Sequence, residues 1–189
     1  IGYMVMALAL FTPLALIGGI FYIIHHIIVK SNLFLVAGLT YRLGGSYELK
    51  ALGGLYKRAP WLAVVFLIPA LSLAGLPPLS GFFGKFILIR AGVDAGSWVL
   101  VTVALIVGLL TLYSMTKIWA EVFWKPAPSE ADPGVPPPGS LMILPVAMLC
   151  VLTVAIGIGA EPVYRLSERT AAQLLDPSGY INAVLGDQP

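Results

Sequence analysis

Apolar segments of membrane-spanning length are the feature that most constrains the fold of this chain. A helix needs about 20 residues to cross roughly 30 Å of hydrocarbon. Apolar residues fill 59% of the 189 positions and charged residues 11%, whereas about a quarter of a soluble domain is charged. This composition excludes an ordinary water-soluble globule. It predicts an all-α, polytopic bundle of transmembrane helices over residues 1–160, with apolar segments at 1–12, 14–41, 60–90, 98–124 and 141–158.

The first segment, residues 1–12, is too short to span a membrane by itself. It begins with Ile1 and lacks the charged start and the small-residue cleavage site of a signal peptide. We interpret it as the truncated end of a longer helix, and we expect the sequence to be a fragment of a larger protein.

The third segment, residues 60–90, is interrupted at its centre by Gly75, Pro77, Pro78, Ser80 and Gly81. It forms either two short spans or one span with a break. Two consecutive prolines remove two backbone donors, and unpaired backbone at membrane depth must be satisfied by protein or by a wet cavity. One discontinuous helix fits these constraints better, and transporters use such breaks at ion sites.

The distribution of basic residues supports a single broken crossing. In that arrangement the loop 42–58 and the stretch 117–139 lie on the same side of the membrane, and together they hold most of the basic loop residues. The positive-inside rule places this side in the cytoplasm. We expect a proline-rich cytoplasmic linker over 126–139 and an extramembrane amphipathic tail over 161–189.

Several classes of function are excluded. A net charge of +2 is too small for a nucleic-acid-binding surface. Cys150 is the single cysteine, so an intrachain disulfide cannot form and no Cys-based metal site is indicated. The sequence has no catalytic triad, phosphate-binding loop or zinc spacing. It therefore indicates no catalytic residue, metal or cofactor, and the remaining chemistry is proton movement.

Two lysines within apolar segments, Lys30 and Lys85, carry that hypothesis. A lysine at the centre of a membrane costs about 2.5–3.5 kcal/mol and normally faces a bundle interior or a water path. The alternative is that each side chain reaches an interface. Lys30 lies about 17 Å along a helix from the nearest charged loop residue, which is too far for this alternative. Both amines are therefore expected inside the bundle.

A histidine and a tyrosine share the helical face of Lys30. His26 precedes Lys30 by four residues, and Tyr22 lies one further turn back. Histidine titrates near neutral pH, so the stripe is a candidate proton path with water between its members. His25 points about 100° away from His26. It is either a second member of the path or a packed histidine hydrogen-bonded to a neighbour.

Lys85 follows the break, where two half-helices would meet. The positive end of the second half-helix disfavours an ammonium, and the free carbonyls of the first favour one. Small rearrangements there can change the protonation state of Lys85. A separate i, i+4 pair, Lys117 and Glu121, ends the fourth segment among aromatic residues. It is either an interfacial anchor or a point where ions enter or leave.

The motifs HHIIVK, SNLFLVAG and LAGLPPLSGFFGKFILI resemble the antiporter-like membrane subunits shared by respiratory complex I and the Mrp multisubunit cation/proton antiporters. In that family the HxxxK helix and the broken helix ending in GFFxK carry proton-path residues. The resemblance assigns this role to His26, Lys30 and Lys85. It also implies about fourteen spans in the complete subunit, with a glutamate and a lysine of the first half on helices that this sequence lacks.

Features near the end of the chain are similar to the D-type subunits within the Mrp branch. They include IRAG, LYSMTKIW and the tail DPSGYINAVLG, which the complex I relatives usually lack. The resemblance implies the C-terminal portion of a multi-pass subunit in a bacterial inner membrane. The implied partners are other antiporter subunits and membrane lipids, with Na⁺ and H⁺ as transported ions.

Three functions remain open at this point. The chain is part of a sodium/proton antiporter subunit, part of a proton-pumping subunit of a complex I-type dehydrogenase, or a membrane scaffold that transports nothing. The DPSGYINAVLG tail favours the first over the second, and buried lysines argue against the third.

Overall fold

The computed structural model describes residues 1–127 and 138–186, and all regular structure in these two ranges is helical. The expected proline-rich linker therefore falls mostly outside the described residues, as does the end of the tail at 187–189. The helices are α1 Gly2–Leu10, α2 Pro13–Gly44, α3 Leu55–Arg58, α4 Pro60–Ala74, α5 Ser80–Asp94, α6 Trp98–Trp119 with a π-helical turn at Ala120–Trp124, α7 Ser140–Ile158, α8 Glu161–Leu175 and α9 Ser178–Leu185.

Helix α2 is the central element, and α1, α4, α5, α7 and α8 all pack against it. Thr12 caps its first turn by accepting a hydrogen bond from the Ala15 N–H, and Pro13 occupies a position where the missing N–H has no consequence. The helix ends at Gly45, which has a φ of 72°. Its 32 residues extend about 48 Å, enough to cross a membrane with tilt.

Helices α4 and α5 are successive halves of one crossing. The start of α4 packs in a core cluster with Val36 and Leu39, near the end of α2. The end of α5 lies at the opposite end of the bundle, where Arg90 and Leu14 line one cavity. Residues 75–79 between the halves are not helical, and the Pro77–Pro78 peptide bond is cis. The expectation of an all-α membrane bundle with one discontinuous helix is confirmed.

The connections lie at two ends of the bundle. At one end, the Gly54 N–H donates to the Lys125 carbonyl at 2.6 Å, and Lys125 Nζ donates to the Lys50 carbonyl at 3.1 Å. The loop after α2 therefore meets the residues after α6. We call the opposite end, with the turns 11–12, 95–97 and 159–160, the α8 end, because α8 packs there on Leu16 and Ile17.

Within the described residues, α2, α6 with its π-helical turn, and α7 are long and apolar enough to cross a membrane. The halves α4 and α5 have 15 residues each and are too short to do so separately. Much of α6 is exposed on the surface of the chain, as expected of a helix that faces lipid or another subunit. The first half-helix packs deep in the bundle, so the break lies in its interior.

Candidate functional site

The Lys85 ammonium lies at the helix break. Its Nζ donates a hydrogen bond of 2.7 Å to the carbonyl oxygen of Ala74, the last residue of α4. That carbonyl is free because the helix ends there and the next turn cannot supply an N–H. The Lys85 side chain is buried, with 6% of its surface exposed. A free carbonyl of the first half-helix thus faces this ammonium, as the sequence analysis expected, while the role of Lys85 in proton movement stays a prediction.

An aromatic ring forms a second contact of Lys85. The Tyr3 ring centroid is 5.0 Å from Lys85 Nζ, which is within the range of a cation–π interaction. The Tyr3 hydroxyl also donates a hydrogen bond to the Ala104 carbonyl on α6 at 2.5 Å. This bond and the Lys85 contact together fix the position of the ring. Gly75, at a φ of 94°, allows the lysine stem to pass, because a Cβ there would lie 2.7 Å from Lys85 Cδ.

A chain of buried polar side chains crosses the break beside Lys85. His25 Nδ1 is 2.8 Å from Ser80 Oγ, and Ser80 Oγ is 3.1 Å from Ser72 Oγ. Ser72 Oγ also accepts a hydrogen bond of 3.2 Å from the Gly81 N–H. All three side chains are almost fully buried, and His25 Nε2 has no partner among the described residues. The chain connects α2 to both half-helices.

Gly81 is required by the close approach of these elements. A Cβ at this position would overlap the Ser72 carbonyl oxygen and would lie 2.8 Å from two atoms of the His25 ring. Only glycine lets α5 begin so close to α4 and α2.

Tyr22, His26 and Lys30 line one open cavity of about 290 Å³, together with Tyr3. The Tyr22 ring centroid is 5.9 Å from that of His26, 5.5 Å from that of His25 and 5.1 Å from that of Tyr3. The cavity has room for several water molecules, each of which occupies about 30 Å³ in the liquid. Tyr22 therefore lies between the two histidines and Tyr3.

Lys85 lines a different cavity, of about 510 Å³. Tyr3 lines both cavities. Tyr3 therefore lies where the space next to His26 and Lys30 adjoins the space next to Lys85. The sequence gives no sign of this shared position of Tyr3.

The expectation that Lys30 is buried inside the bundle is wrong for this chain, because Lys30 is exposed. α1 packs antiparallel to α2 with Tyr3 against Tyr22, so its contacts lie on the part of α2 that precedes Lys30. Lys30 lies eight residues beyond Tyr22, or about 12 Å along α2. Lys30 remains at the edge of the cavity, with its Nζ 6.0 Å from the Phe34 ring centroid.

The expected pairing of Lys117 with Glu121 is also wrong. Glu121 pairs with Lys125 at 3.2 Å, and Lys117 is exposed. Glu121 and Lys125 lie in and next to the π-helical turn Ala120–Trp124, which replaces regular α-helical spacing after Trp119. Lys125 Nζ also donates to the Lys50 carbonyl, and this contact with the loop keeps the Lys125 side chain close to Glu121.

Two residues of the site, Tyr3 and Ser72, were missed in the sequence analysis. Ser72 is a lone hydroxyl in the apolar run PWLAVVFLIPALSLA, and a polar side chain there is a detectable signal. Tyr3 has no comparable signal, because its contact with Lys85 depends on how α1 and α5 meet. In the described ranges no group of three or more His, Cys, Asp or Glu side chains is close enough to hold a metal ion.

Comparison with known proteins places this arrangement in a family. A family model described as "NADH:quinone oxidoreductase/Mrp antiporter, TM" matches residues 1–111. The D-type subunit of the Na⁺/H⁺ antiporter of Alkalihalophilus pseudofirmus is 50% identical over 98% of this chain. Its counterpart in Bacillus subtilis is 37% identical over 98% of this chain. The chain spans 37% of the length of each of these curated relatives.

Solved structures agree with the sequence comparison. A chain of the Mrp complex from Dietzia sp. DQ12-45-1b matches with a TM-score of 0.85 and 39% identity, over 97% of this chain and 42% of that one. A chain of respiratory complex I from Thermus thermophilus matches with a TM-score of 0.73 and 28% identity, over 91% of this chain and 37% of that one. This multi-pass membrane chain therefore belongs to the NADH:quinone oxidoreductase/Mrp antiporter family of transmembrane proteins.

Proposed function

We propose that the chain forms part of a membrane subunit of a multisubunit Na⁺/H⁺ antiporter and carries part of its proton path. The single observation that supports this most strongly is the buried Lys85 ammonium, held at 2.7 Å by the Ala74 carbonyl in the middle of a broken helix. A buried ammonium inside a membrane bundle is costly and is characteristic of ion and proton paths.

The proposed path has two parts that meet at Tyr3. Lys30, His26 and Tyr22 lie along one cavity, and Lys85 lies in the other. Among the described residues no direct hydrogen bond joins Tyr22 to Tyr3 or to His26, and only their rings lie close, with centroids 5.1 and 5.9 Å apart. Protons therefore pass between these groups through water. His25, Ser80 and Ser72 form a direct hydrogen-bonded branch that reaches the break.

The proposed partners are the other subunits of the antiporter complex and membrane lipids, with Na⁺ and H⁺ as the transported ions. We place the chain in a bacterial inner membrane, with the loop after α2 and the stretch after α6 on the cytoplasmic side. The basic residues Arg42, Lys50, Lys57, Arg58 and Lys125 at that end support this orientation. The proposed subunit moves ions and performs no covalent chemistry.

The test is sodium-dependent proton flux in membrane vesicles that contain the complete antiporter complex. Lys85→Ala should abolish the flux, because it removes the buried group that takes up and releases the proton. Lys30→Ala should reduce the flux strongly. Lys57→Ala is the matched control, since Lys57 is exposed in the loop and should retain wild-type flux. Full flux in Lys85→Ala, in a complex that assembles normally, would rule out the proposed path.

A complex I-type proton pump is the second candidate, supported by the match to complex I of Thermus thermophilus. The higher identity and TM-score of the Mrp relatives favour the antiporter. Flux measurements in the same vesicles distinguish the antiporter from the pump. An antiporter moves protons in response to a sodium gradient, and a pump needs a reduced donor and a quinone. A scaffold would show neither activity, and the buried Lys85 argues against it.

A further inference from the structure

A groove at the α8 end is not used by the proposed proton path. It has a volume of about 670 Å³ and lies between the start of α2, the end of α5 and the start of α8. Ligand pockets are commonly about 300–1,000 Å³. The groove therefore has the size of a ligand site, and we call it the α8 groove.

The floor of the α8 groove is apolar. Leu14 and Phe21 form its α2 side, and Phe83 and Ile87 form its α5 side. Phe83 lies seven residues before the rim residue Arg90, or about 10 Å deeper along α5. Phe86 extends this apolar wall outward, with 53% of its surface exposed. A hydrocarbon chain fits such a floor better than a polar ligand does.

The rim of the α8 groove is charged with both signs. Arg90 and Arg165 supply two guanidinium groups, and Glu161 and Glu168 supply two carboxylates. Arg165 Nε donates to Glu161 Oε1 at 2.9 Å, and Arg90 lies 3.9 Å from Asp94. Glu168 has no ion pair within 1–127 and 138–186. Arg165 and Glu161 neutralise each other, so Arg90, whose contact with Asp94 is long and exposed, and Glu168 are the two rim charges of opposite sign that a zwitterionic ligand would meet.

The groove opens where the helices end, at the level of a membrane where lipid headgroups lie. We propose that it binds a zwitterionic phospholipid with a primary ammonium, phosphatidylethanolamine. Its phosphate is placed at Arg90 and Arg165, because guanidinium groups form paired hydrogen bonds with phosphate. Its ammonium is placed at Glu168, and one acyl chain enters the groove over Phe83 and Ile87.

The headgroup chemistry separates this lipid from the others. A trimethylammonium, as in phosphatidylcholine, has no N–H to donate to Glu168, whereas a primary ammonium has three. An anionic lipid such as phosphatidylglycerol supplies no cation for Glu161 and Glu168. The proposal rests on the membrane placement of the chain and is independent of which ion is transported.

The test uses the complete antiporter complex in lipid nanodiscs. A phosphatidylethanolamine with a photoreactive acyl chain is crosslinked, and the labelled peptides are identified by mass spectrometry. We expect labelling around Phe83 and Ile87. Unlabelled phosphatidylethanolamine should compete about tenfold better than phosphatidylcholine or phosphatidylglycerol, the ratio expected from one charge-assisted hydrogen bond.

Variants localise the site. Arg90→Gln and Glu168→Gln should each reduce labelling about tenfold. Both side chains are exposed, so folding should be retained. Arg169→Gln is the matched control, because Arg169 lies on α8 but does not line the groove, and labelling should be unchanged. Ala160→Trp should fill the groove and remove labelling.

Three results would overturn the proposal: equal competition by the three lipids, labelling that Arg90→Gln leaves unchanged, or a crosslink that joins the groove to another protein subunit. The readout is lipid binding, so it separates this proposal from the proposed transport function. Loss of flux in Lys85→Ala with lipid binding intact would support both, and normal flux with lipid binding intact would contradict the transport function alone.

Discussion

The backbone N–H of Gly81 donates a hydrogen bond to the hydroxyl of Ser72 across the helix break, over 3.2 Å. This bond ties the first turn of α5 to the last turn of α4. The N–H groups of a first helical turn have no partner within their own helix. Ser72 supplies that partner in the apolar interior of the bundle, so the two half-helices hold each other in position next to Lys85.

Ser72→Ala should destabilise the protein. It leaves the Gly81 N–H without an acceptor in a buried setting and removes one partner of Ser80, at a cost of about 1–3 kcal/mol. The measurement is the midpoint of thermal unfolding of the detergent-solubilised protein. Ser114→Ala on α6 is the control and should leave the midpoint unchanged, because Ser114 is exposed. Equal midpoints for the two variants would contradict the role of this bond.

Gly81→Ala should lower the stability of the protein more than Gly38→Ala, a glycine substitution in the same bundle. Its methyl group would overlap the Ser72 carbonyl, and overpacking of this kind costs about 1–3 kcal/mol. Gly38→Ala is the matched control, because Gly38 lies within α2 and has no heavy atom within 4 Å of an added Cβ. Alanine there should be neutral or should stabilise the helix by about 0.5–1 kcal/mol. The thermal unfolding midpoints of the two variants test whether Gly81→Ala lowers the stability while Gly38→Ala does not.

Tyr3→Ala should increase proton leak. Tyr3 lines both the cavity of His26 and Lys30 and the cavity of Lys85, so removing its ring should join the two spaces. Water can then connect them without a sodium gradient. Tyr3→Phe keeps the ring and should leak no more than the wild type. The measurement is proton leak in sodium-free vesicles with the complete complex. A leaky Tyr3→Phe would assign the barrier to the hydroxyl instead.

Glu121 should couple energetically to Lys125 and not to Lys117. The Glu121–Lys125 pair is 3.2 Å long and partly exposed, and exposed pairs contribute about 0.2–1 kcal/mol. A double-mutant cycle on thermal stability, with Glu121→Gln, Lys125→Ala and Lys117→Ala, measures both couplings. A coupling between Glu121 and Lys117 of the same size would contradict the pairing in the structure.

Asp176 should titrate below the usual range of a carboxyl group. Hydrogen bonds from the Ser178 side chain and from its backbone N–H, the latter 3.1 Å from Oδ1, lower the pKa of Asp176. Because the folded pKa is the lower one, this interaction supports the start of α9 at neutral pH and is lost as the pH falls through the folded pKa. Ser178→Ala should raise the pKa of Asp176. An NMR titration of the carboxyl carbon measures it, and an unchanged titration midpoint would exclude the contact.

The helix break and the end of α2 follow from local chemistry. Pro77 and Pro78 cannot continue a helix, and Gly45 ends one, whatever the neighbouring helices do. The isolation of Lys85 in an apolar run was also visible, since an amine in the middle of such a run must find a polar partner. The family resemblance and the all-α membrane fold followed from these same segments.

Contacts between helices were not predictable, because they depend on how each helix is rotated and shifted along its axis. Apolar residues occupy every side of α2 and α4, so apart from the Tyr22, His26 and Lys30 stripe no pattern indicates which face meets which neighbouring helix. For this reason the sequence could not place His25 against Ser80 or Tyr3 against Lys85. It also could not place Lys30 on an exposed part of α2.

The sequence by itself therefore determined the apolar helical segments, the break between the two half-helices and the residues that need a polar surrounding, since proline geometry and desolvation act on each segment separately. Only the tertiary structure decided which partners meet those needs. Packing of uniformly apolar helices is governed by the shapes of many side chains at once, and the small residues Gly75 and Gly81 let the two half-helices approach closely enough to form the site.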